Sequence, residues 1–278
     1  MARQGFSYTS SRFNILTSLL EVLNRGAEDS TDMVIAQYLL DHYAELEELI
    51  IYDVASECFC SRSSIQRFSK DIGFDSFTDL KLAHAALGGH LEAVGRYAAD
   101  QSFVHTVIPQ MNLMMNDITA MTETPAFHRV LDTIHESEVI LLVAAATSDT
   151  GVHKLQEELF LAGKRPRIAN DLHGVQSAGR LLRPEDLTLV LSTTGIYALA
   201  VQDSLATIRS KKVLLTMNAS ESVAAGFDDI CLMSDRRFDS PSIPETGIRD
   251  VYTRYAMPFF LDLLMHEYLR VYGATMRS

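Results

Sequence analysis

Several features that would mark a membrane, secreted or metal-binding protein are missing from this 278-residue chain. No apolar run reaches the roughly 18 residues needed to span a bilayer, and residues 1–6 lack the apolar core of a signal peptide. The three cysteines have no metal-ligand spacing, and no histidine cluster accompanies Cys58 and Cys60. We therefore expect a cytoplasmic protein in a reduced compartment. Its cysteines should be packing residues, and no metal, cofactor or membrane partner is expected.

Internal repeats and low-complexity tracts are also missing, so the chain should fold as ordinary globular domains. Its length allows one large or two ordinary domains, and with 47% hydrophobic residues it has enough apolar side chains for real cores. Apolar residues follow a helical period up to about residue 137 and then fall into short continuous runs. This change of period predicts two domains of different class.

Basic residues are scarce in one region in particular. The chain has a net charge of −12, which argues against a general nucleic-acid coat protein. Residues 28–57 contain nine acidic side chains and no lysine or arginine, whereas residues 58–84 contain four basic side chains against three aspartates. This local change of sign is compatible with a DNA reader. Because one copy offers few phosphate contacts, we expect binding to need at least a dimer.

Residues 49–82 contain a pattern typical of two helices joined at a tight corner. Ile50, Ile51, Val54 and Ala55 repeat at helical spacing, and Cys58 to Cys60 leave no room for a long loop. Ser61 is placed to cap a second helix. Gly73 is expected to end that helix, because a glycine adopts the left-handed conformation at low cost.

The second of these helices is predicted to have an apolar and a polar face. Ile65, Phe68 and Ile72 share one face. An exposed helix of this width fits the DNA major groove, where arginine pairs with guanine and glutamine with adenine. The alternative is a surface helix whose polar side is merely solvated. The predicted DNA-binding residues are Ser61, Arg62, Ser63, Ser64, Gln66, Arg67 and Lys70.

The run from Ser61 to Lys81 closely resembles the N-terminal helix-turn-helix of RpiR-type transcriptional regulators. That pattern reads Ser-x-x-Thr/Ser-Ile-x-Arg-Phe-x-Lys-x-Leu-Gly-Phe-x-Gly-Phe-x-Glu-Leu-Lys, and the match is free of gaps. This chain has Phe59-Cys60 where the family usually has Gly-Val before the serine. The resemblance implies a bacterial regulator in which this domain is joined to a sugar-isomerase-like (SIS) domain that senses a phosphosugar.

The second half of the chain alternates short apolar runs with helical segments. Residues 139–143, 167–169, 187–191, 213–217 and 230–233 are predicted strands, and helical segments lie between them. This alternation favours an α/β three-layer domain with a five-stranded parallel sheet in the flavodoxin-like order 2-1-3-4-5. A methionine-rich helix over residues 104–121 should precede it, with its methionines used in core or dimer packing rather than as a binding face.

Small polar residues follow two of the predicted strands. In an open parallel sheet, ligands bind beyond the carboxyl ends of the strands. Hydroxyls and helix N-termini together can hold an anion, although the hydroxyls are equally suited to capping their own helices. The predicted ligand-binding residues are Thr147, Ser148, Ser192, Thr193, Thr194 and Gly195.

Residues 138–217 resemble an SIS domain, whose loops usually read Gly-x-Gly-x-Ser and Ser-x-Ser-Gly-Glu-Thr. The resemblance places the first serine at Ser148 and the second loop at residues 192–197, with an Asp-x-His pair at Asp171 and His173. Two departures are substantial. Alanines replace the two glycines of the first loop, and the Glu-Thr pair is replaced in the second, at positions Ala144, Ala146, Ile196 and Tyr197.

We expect an all-α helix-turn-helix domain at residues 1–88, a linker helix at 89–122 and an SIS-like sensing and oligomerisation domain at 123–278. The predicted function is a non-enzymatic transcriptional regulator of sugar metabolism, a homodimer or tetramer that binds a double-stranded operator. Its effector would be a phosphorylated sugar or a related anion. Two alternatives stay open: a sugar-phosphate isomerase using His153, Glu157, Glu158 or His173, or a constitutive DNA-binding regulator with a degenerate sensor domain.

Overall fold

The computed structural model of the protein describes residues 15–25, 30–86, 103–145, 149–170, 172–236 and 248–273. The chain divides into two compact units, residues 1–99 and residues 100–278. Among the described residues of the first unit all regular elements are helical: α1 (Ile15–Arg25), α2 (Thr31–Asp41), a 3-10 turn (Tyr43–Glu45), α3 (Ile51–Glu57), α4 (Arg62–Asp71) and α5 (Phe77–Ala86).

The first unit is held by an apolar core to which all five helices contribute. Its fully buried residues include Leu19 of α1, Leu39 of α2, Val54 of α3, Phe68 of α4 and Leu80 of α5. Ser30 caps α2, because its side chain accepts a hydrogen bond from Met33 N at 3.2 Å.

Cys58 belongs to this core, as the sequence predicts for a packing cysteine. It is 5% exposed. Burial raises the pKa of its thiol to about 11, so the thiol stays protonated at neutral pH and is a poor metal ligand.

The second unit is an α/β domain. Its elements are α6 (Phe103–Met121), α7 (Pro125–Glu136), β1 (Val139–Ala144), α8 (Asp149–Leu161), β2 (Arg165–Ala169), α9 (Leu172–Gly179), β3 (Leu187–Leu191), α10 (Ile196–Leu205), β4 (Lys211–Thr216), α11 (Glu221–Ala224), β5 (Asp229–Leu232) and α12 (Ile248–Tyr272).

The five strands form one parallel sheet in the order β2-β1-β3-β4-β5, which confirms the predicted fold class and strand order. β3 is buried at all five positions and β1 at five of six, as expected for central strands covered by helices on both faces. β2 lies at one edge, and its two arginines, Arg165 and Arg167, are exposed.

The methionine-rich helix α6 takes part in the core of the second unit. Val107, Met114 and Ile118 are buried there together with Tyr252 and Phe260 of α12. Met114 is therefore a packing residue, in agreement with the core alternative, whereas Met115 is 38% exposed. The predicted bounds of the linker and of the SIS-like domain remain predictions.

Helix α12 continues through Pro258 without a break between Ile248 and Tyr272. No helix within the described ranges is both long and apolar enough to cross a membrane.

Candidate functional site

Helices α3 and α4 form the predicted corner through a three-residue turn, Cys58 to Cys60. Phe59 N donates to Ser56 O at 3.2 Å, and Cys60 N donates to Ala55 O at 2.9 Å. This pair of bonds is the Schellman arrangement, which ends a helix with one residue in the left-handed conformation. That residue is Phe59, with a φ of 49°. The chain thus makes the turn without the glycine that the family pattern has there.

Ser61 caps helix α4, as predicted. Its Oγ accepts from Ser64 N at 3.1 Å and lies 2.9 Å from Ser64 Oγ. Ile65, Phe68 and Ser69 are buried, which fixes the rotation of the helix. The same rotation leaves most of the predicted DNA-binding residues exposed, namely Ser61, Arg62, Ser63, Arg67 and Lys70, while Ser64 and Gln66 are half-buried.

Arg62 is held by an aromatic residue that the sequence analysis did not single out. Its Nη1 donates to Tyr52 Oη at 2.7 Å, and the guanidinium carbon lies 4.4 Å from the Tyr52 ring centroid. Tyr52 is on α3, ten residues earlier in the chain. The geometry of the turn brings the two side chains together, and the spacing of the residues in the sequence does not predict this contact. The contact restrains Arg62 at the start of the predicted reading helix.

Gln66 has a second role besides the predicted one. Its Oε1 accepts a hydrogen bond from Phe77 N, the first residue of α5, at 3.2 Å. One end of the amide is therefore used to join α4 to α5. Its amide nitrogen can still donate to a base, but the two-bond pairing with adenine would require the Phe77 contact to be released.

One of the four basic side chains in this region serves the fold. Lys81 Nζ donates to Leu49 O at 2.9 Å, between α5 and the segment before α3. The positive charges on the exposed side of α4 are then Arg62, Arg67 and Lys70. They are spaced over nine residues of helix, or about 12 Å at 1.5 Å per residue, which suits contacts along one stretch of phosphates.

In the second unit, strands β1 and β3 are neighbours, and Ala144 at the end of β1 pairs with Leu191 at the end of β3. The loop after β3 therefore begins beside the loop after β1. Of the six predicted ligand-binding residues, Thr147 and Ser148 lie outside the described residues. Ala146 and Asp171 do so as well, and the side chain of His173 is not described.

Two of the hydroxyls after β3, those of Ser192 and Thr194, cap helix α10. Ser192 is 5% exposed, and its Oγ accepts from Ala198 N at 3.2 Å. Thr194 Oγ1 accepts from Ile196 N at 3.5 Å. These contacts correspond to the capping alternative for both residues. The Ser192 hydroxyl keeps a proton that it can donate.

Residues 193–195 are held by the loop after β4 and by helix α11. Met217 N donates to Thr193 O at 2.9 Å, and Asn218 Nδ2 donates to Thr194 O at 3.1 Å. Gly195 has a φ of 83°, and a Cβ there would stand 2.8 Å from Val223 Cγ2. The sequence analysis missed Asn218, because nothing in its local pattern indicates that it reaches across to the preceding loop.

The polar side chains of the loops after β3 and β4 that meet here, Ser192, Thr193, Thr194 and Asn218, are neutral. An anion held here would be bound by hydroxyls, an amide and the positive end of the α10 dipole. Of the two departures in the second loop, Ile196 is 63% exposed and Tyr197 is 8% exposed. The replacement of the Glu-Thr pair thus leaves an apolar side chain at the surface and an aromatic one inside.

The carboxylates considered for an isomerase lie on α8. Glu157 is exposed, and Glu158 lies near Lys154, with 3.8 Å between the carboxylate and the ammonium. Burial raises the pKa of Glu158. Both residues are at least eight positions from the start of α8, or about 12 Å along the helix, and so stand well away from the carboxyl edge of the sheet. His153 is exposed on the same helix.

One family model matches the chain: residues 16–86 match the model described as the helix-turn-helix domain of the rpiR family. The matched segment contains α3, α4 and the turn between them, together with most of the core of the first unit.

Among solved structures, the chain is similar to the Vibrio vulnificus NanR protein complexed with ManNAc-6P. The identity is 17% and the TM-score 0.51, over 94% of this chain and 93% of that one. At this identity the likeness concerns the fold alone. The RpiR transcription factor from Sphaerobacter thermophilus, solved as its sugar isomerase domain, is 18% identical with a TM-score of 0.46, over 63% of this chain and 93% of that one. A phosphoheptose isomerase from Francisella tularensis is 13% identical with a TM-score of 0.46, over 62% of this chain and 99% of that one.

Proposed function

We propose, from the rpiR-family helix-turn-helix domain that residues 16–86 form, that this protein is a DNA-binding transcriptional regulator. Its operator affinity would change when a phosphorylated sugar or a related anion binds the second unit. The observation that carries the DNA-binding part is helix α4, with a buried apolar face and an exposed row of Arg62, Arg67 and Lys70. Base-edge contacts would come from the N-terminal half of this helix.

The test of DNA binding uses the full-length protein and duplexes enriched by it from a random library. Replacing Arg67 by Ala should weaken binding to the enriched duplex severalfold and reduce the salt dependence by about one contact per copy, because a phosphate contact is lost. The matched control is Arg180→Ala, an exposed arginine of the second unit. Equal affinities of wild type and Arg67→Ala would refute the assignment of α4.

The effector part of the proposal rests on the arrangement after β3 and on a likeness of fold. The relative with 17% identity is complexed with ManNAc-6P, and this chain has hydroxyls and a helix N-terminus at the carboxyl edge of its sheet. We therefore propose that Thr193, Thr194 and Gly195 contact the anionic part of a sugar phosphate, with Ser192 donating its hydroxyl proton, and that Thr147 and Ser148 complete the site.

Calorimetry against ManNAc-6P, a panel of other sugar phosphates and inorganic phosphate tests this site. Thr193→Val removes a hydroxyl and leaves the Ser192 cap of α10 in place. It should weaken binding of the responding sugar phosphate severalfold without changing DNA affinity in its absence. Thr207→Val, an exposed threonine after α10, is the control. No heat with any compound would favour the degenerate-sensor alternative.

We also propose that the protein is not an enzyme, because its carboxylates on α8 stand away from the loop after β3 and a DNA-reading domain serves no isomerase reaction. Incubation with aldose and ketose phosphates should give no interconversion. Turnover that is lost in Glu158→Gln would contradict this proposal and support the isomerase alternative.

A further inference from the structure

Phe59 has a backbone conformation and a degree of solvent exposure that are both unfavourable for phenylalanine. A bulky side chain with a φ of 49° is a steric outlier, and the ring is 95% exposed to solvent. Packing against the described residues of the first unit therefore does not offset the strained backbone. A strained backbone with an exposed ring indicates that the ring makes its contact only when a partner is bound.

Among the described residues, the same turn ends two other helices, each time with the expected glycine. Helix α4 ends with Gly73 at a φ of 99°, where Phe74 N donates to Ser69 O at 2.8 Å. Helix α8 ends with Gly163 at a φ of 82°, where Lys164 N donates to Leu159 O at 3.0 Å. Glycine occupies the left-handed position in both of those turns, so the turn does not require the Phe59 side chain.

The location of Phe59 points to what it contacts. It lies two residues before Ser61, the cap of α4, and three before Arg62. The N-terminal end of a reading helix is the end nearest the base edges, so the turn that leads into it also approaches the groove. The two immediate neighbours of Phe59 are cysteines that are buried or half-buried, and the next residues on either side, Ser56, Glu57, Ser61 and Arg62, are exposed and polar. A protein partner would be expected to need a contiguous apolar patch, whereas a single ring suffices for one base.

We propose that Phe59 is a specificity-determining residue that contacts the 5-methyl group of a thymine in the major groove of each half-site. Thymine offers the one apolar group on the major-groove edge of the base pairs, and aromatic side chains are among those that contact it. This inference rests on the proposed DNA-binding function and adds to it a base that the polar face of α4 does not read.

Replacement of Phe59 should have opposite effects on stability and on DNA binding. In Phe59→Gly the strain is relieved, so the thermal transition of the first unit should rise by a few degrees. The affinity for a duplex enriched by the wild-type protein should fall about fivefold or more. Phe59→Ala loses the ring and keeps the disfavoured φ, so it should lose the same affinity without the gain in Tm.

Deoxyuridine scanning identifies the contact. Each thymine of the enriched duplex is replaced in turn by deoxyuridine, which removes only the methyl group. The full-length wild-type protein should lose about fivefold in affinity at one position of each half-site, and Phe59→Gly should show no difference between thymine and deoxyuridine there. Phe160→Ala, an aromatic residue that is 69% exposed in the second unit, should behave as wild type throughout.

Each other outcome overturns the inference. Equal DNA affinity of Phe59→Gly and wild type would show that the ring makes no contact with DNA. A loss that is the same for every thymine and deoxyuridine duplex would assign the ring to the sugar–phosphate backbone instead. A lower Tm of Phe59→Gly would show that the ring stabilises the fold. If the wild-type protein enriches no duplex at all, the proposed function fails first.

Discussion

Gln66 shows how one side chain can belong both to the fold and to a predicted binding surface. Its Oε1 receives the N–H of Phe77, a group at the first turn of α5 that the helix itself cannot satisfy. The sequence analysis placed Gln66 only on the DNA-reading face, since the partner is eleven residues further along the chain. A change in DNA affinity on mutation of Gln66 therefore has two possible sources.

Two substitutions separate these sources. Gln66→Ala should lower the free energy of unfolding by about 1 kcal/mol, the net value of one hydrogen bond, and should weaken DNA binding. Gln66→Glu keeps an acceptor for Phe77 N and should retain most of the stability, while its negative charge opposes the phosphates. Denaturant unfolding monitored on the first unit measures the first effect. A fully stable Gln66→Ala protein would contradict the joining role.

Phe68 gives the reference for a purely structural residue of the same helix. It is 1% exposed, and Phe68→Ala should destabilise the first unit by about 3–5 kcal/mol. Arg67, its exposed neighbour in sequence, should by contrast affect DNA binding with little change in stability. Urea unfolding of the two alanine variants side by side tests this division of the helix into two faces.

Among the elements, β5 is fastened to α7 by a bidentate ion pair. Arg129 Nε and Nη2 donate to the two carboxylate oxygens of Asp229 at 2.7 and 3.0 Å. The hydrogen bond from Arg129 is the largest cause that lowers the pKa of Asp229 below its ordinary value. A carboxyl with a lowered pKa in the folded state stabilises the fold above about pH 4, its unfolded value. That contribution disappears as the pH falls through the lowered pKa.

Arg129→Met is expected to be less stable than the wild-type protein at neutral pH, by a few degrees in Tm at most because the arginine is half-exposed. The difference should shrink as the pH falls from about 4 through the lowered pKa of Asp229, because only below that lowered pKa is the carboxyl protonated in the folded as well as the unfolded state. Thermal unfolding at a series of pH values measures it. A difference that stays constant down to pH 2 would show that packing, and not charge, joins α7 to β5.

Most helices and strands could be predicted from the sequence, because hydrophobic period and capping residues act locally. The cap Ser61 and the strand Leu187–Leu191 are found where the pattern puts them. Contacts between helices and strands could not be predicted from local patterns. Tyr52 beside Arg62 and Asn218 beside Thr194 depend on how two separate segments are brought together. The same holds for Met114, whose burial against α12 no local pattern specifies.

At the scale of the whole molecule, the net charge of −12 opposes an approach to DNA. The exposed cations of α4 number three in each copy: Arg62, Arg67 and Lys70. A single copy that neutralises three phosphates would show a slope of about −2.7 in log K against log salt concentration, and a dimer a slope of about −5.4. We therefore propose a homodimer or tetramer that binds paired half-sites.

Light scattering of the full-length protein at micromolar concentration should give a mass of at least twice 31.0 kDa. Titrations of the enriched duplex at several salt concentrations should give the steeper slope. A monomer by light scattering together with the shallow slope would contradict the proposed assembly. The double variant Arg67→Ala and Lys70→Ala provides the calibration, since it should flatten the slope of a dimer by about four contacts.

The edge strand β2 limits how such copies can assemble. It reads Arg-Pro-Arg-Ile-Ala, with both arginines exposed and Pro166 between them. Proline has no N–H to offer a further strand, and two like charges repel their counterparts on a second copy. The sheet therefore resists growth across β2 into the continuous hydrogen-bonded ladder of an aggregate, so assembly through this edge is disfavoured. At this edge of the sheet, association is left to contacts between side chains, which can form a closed and finite oligomer.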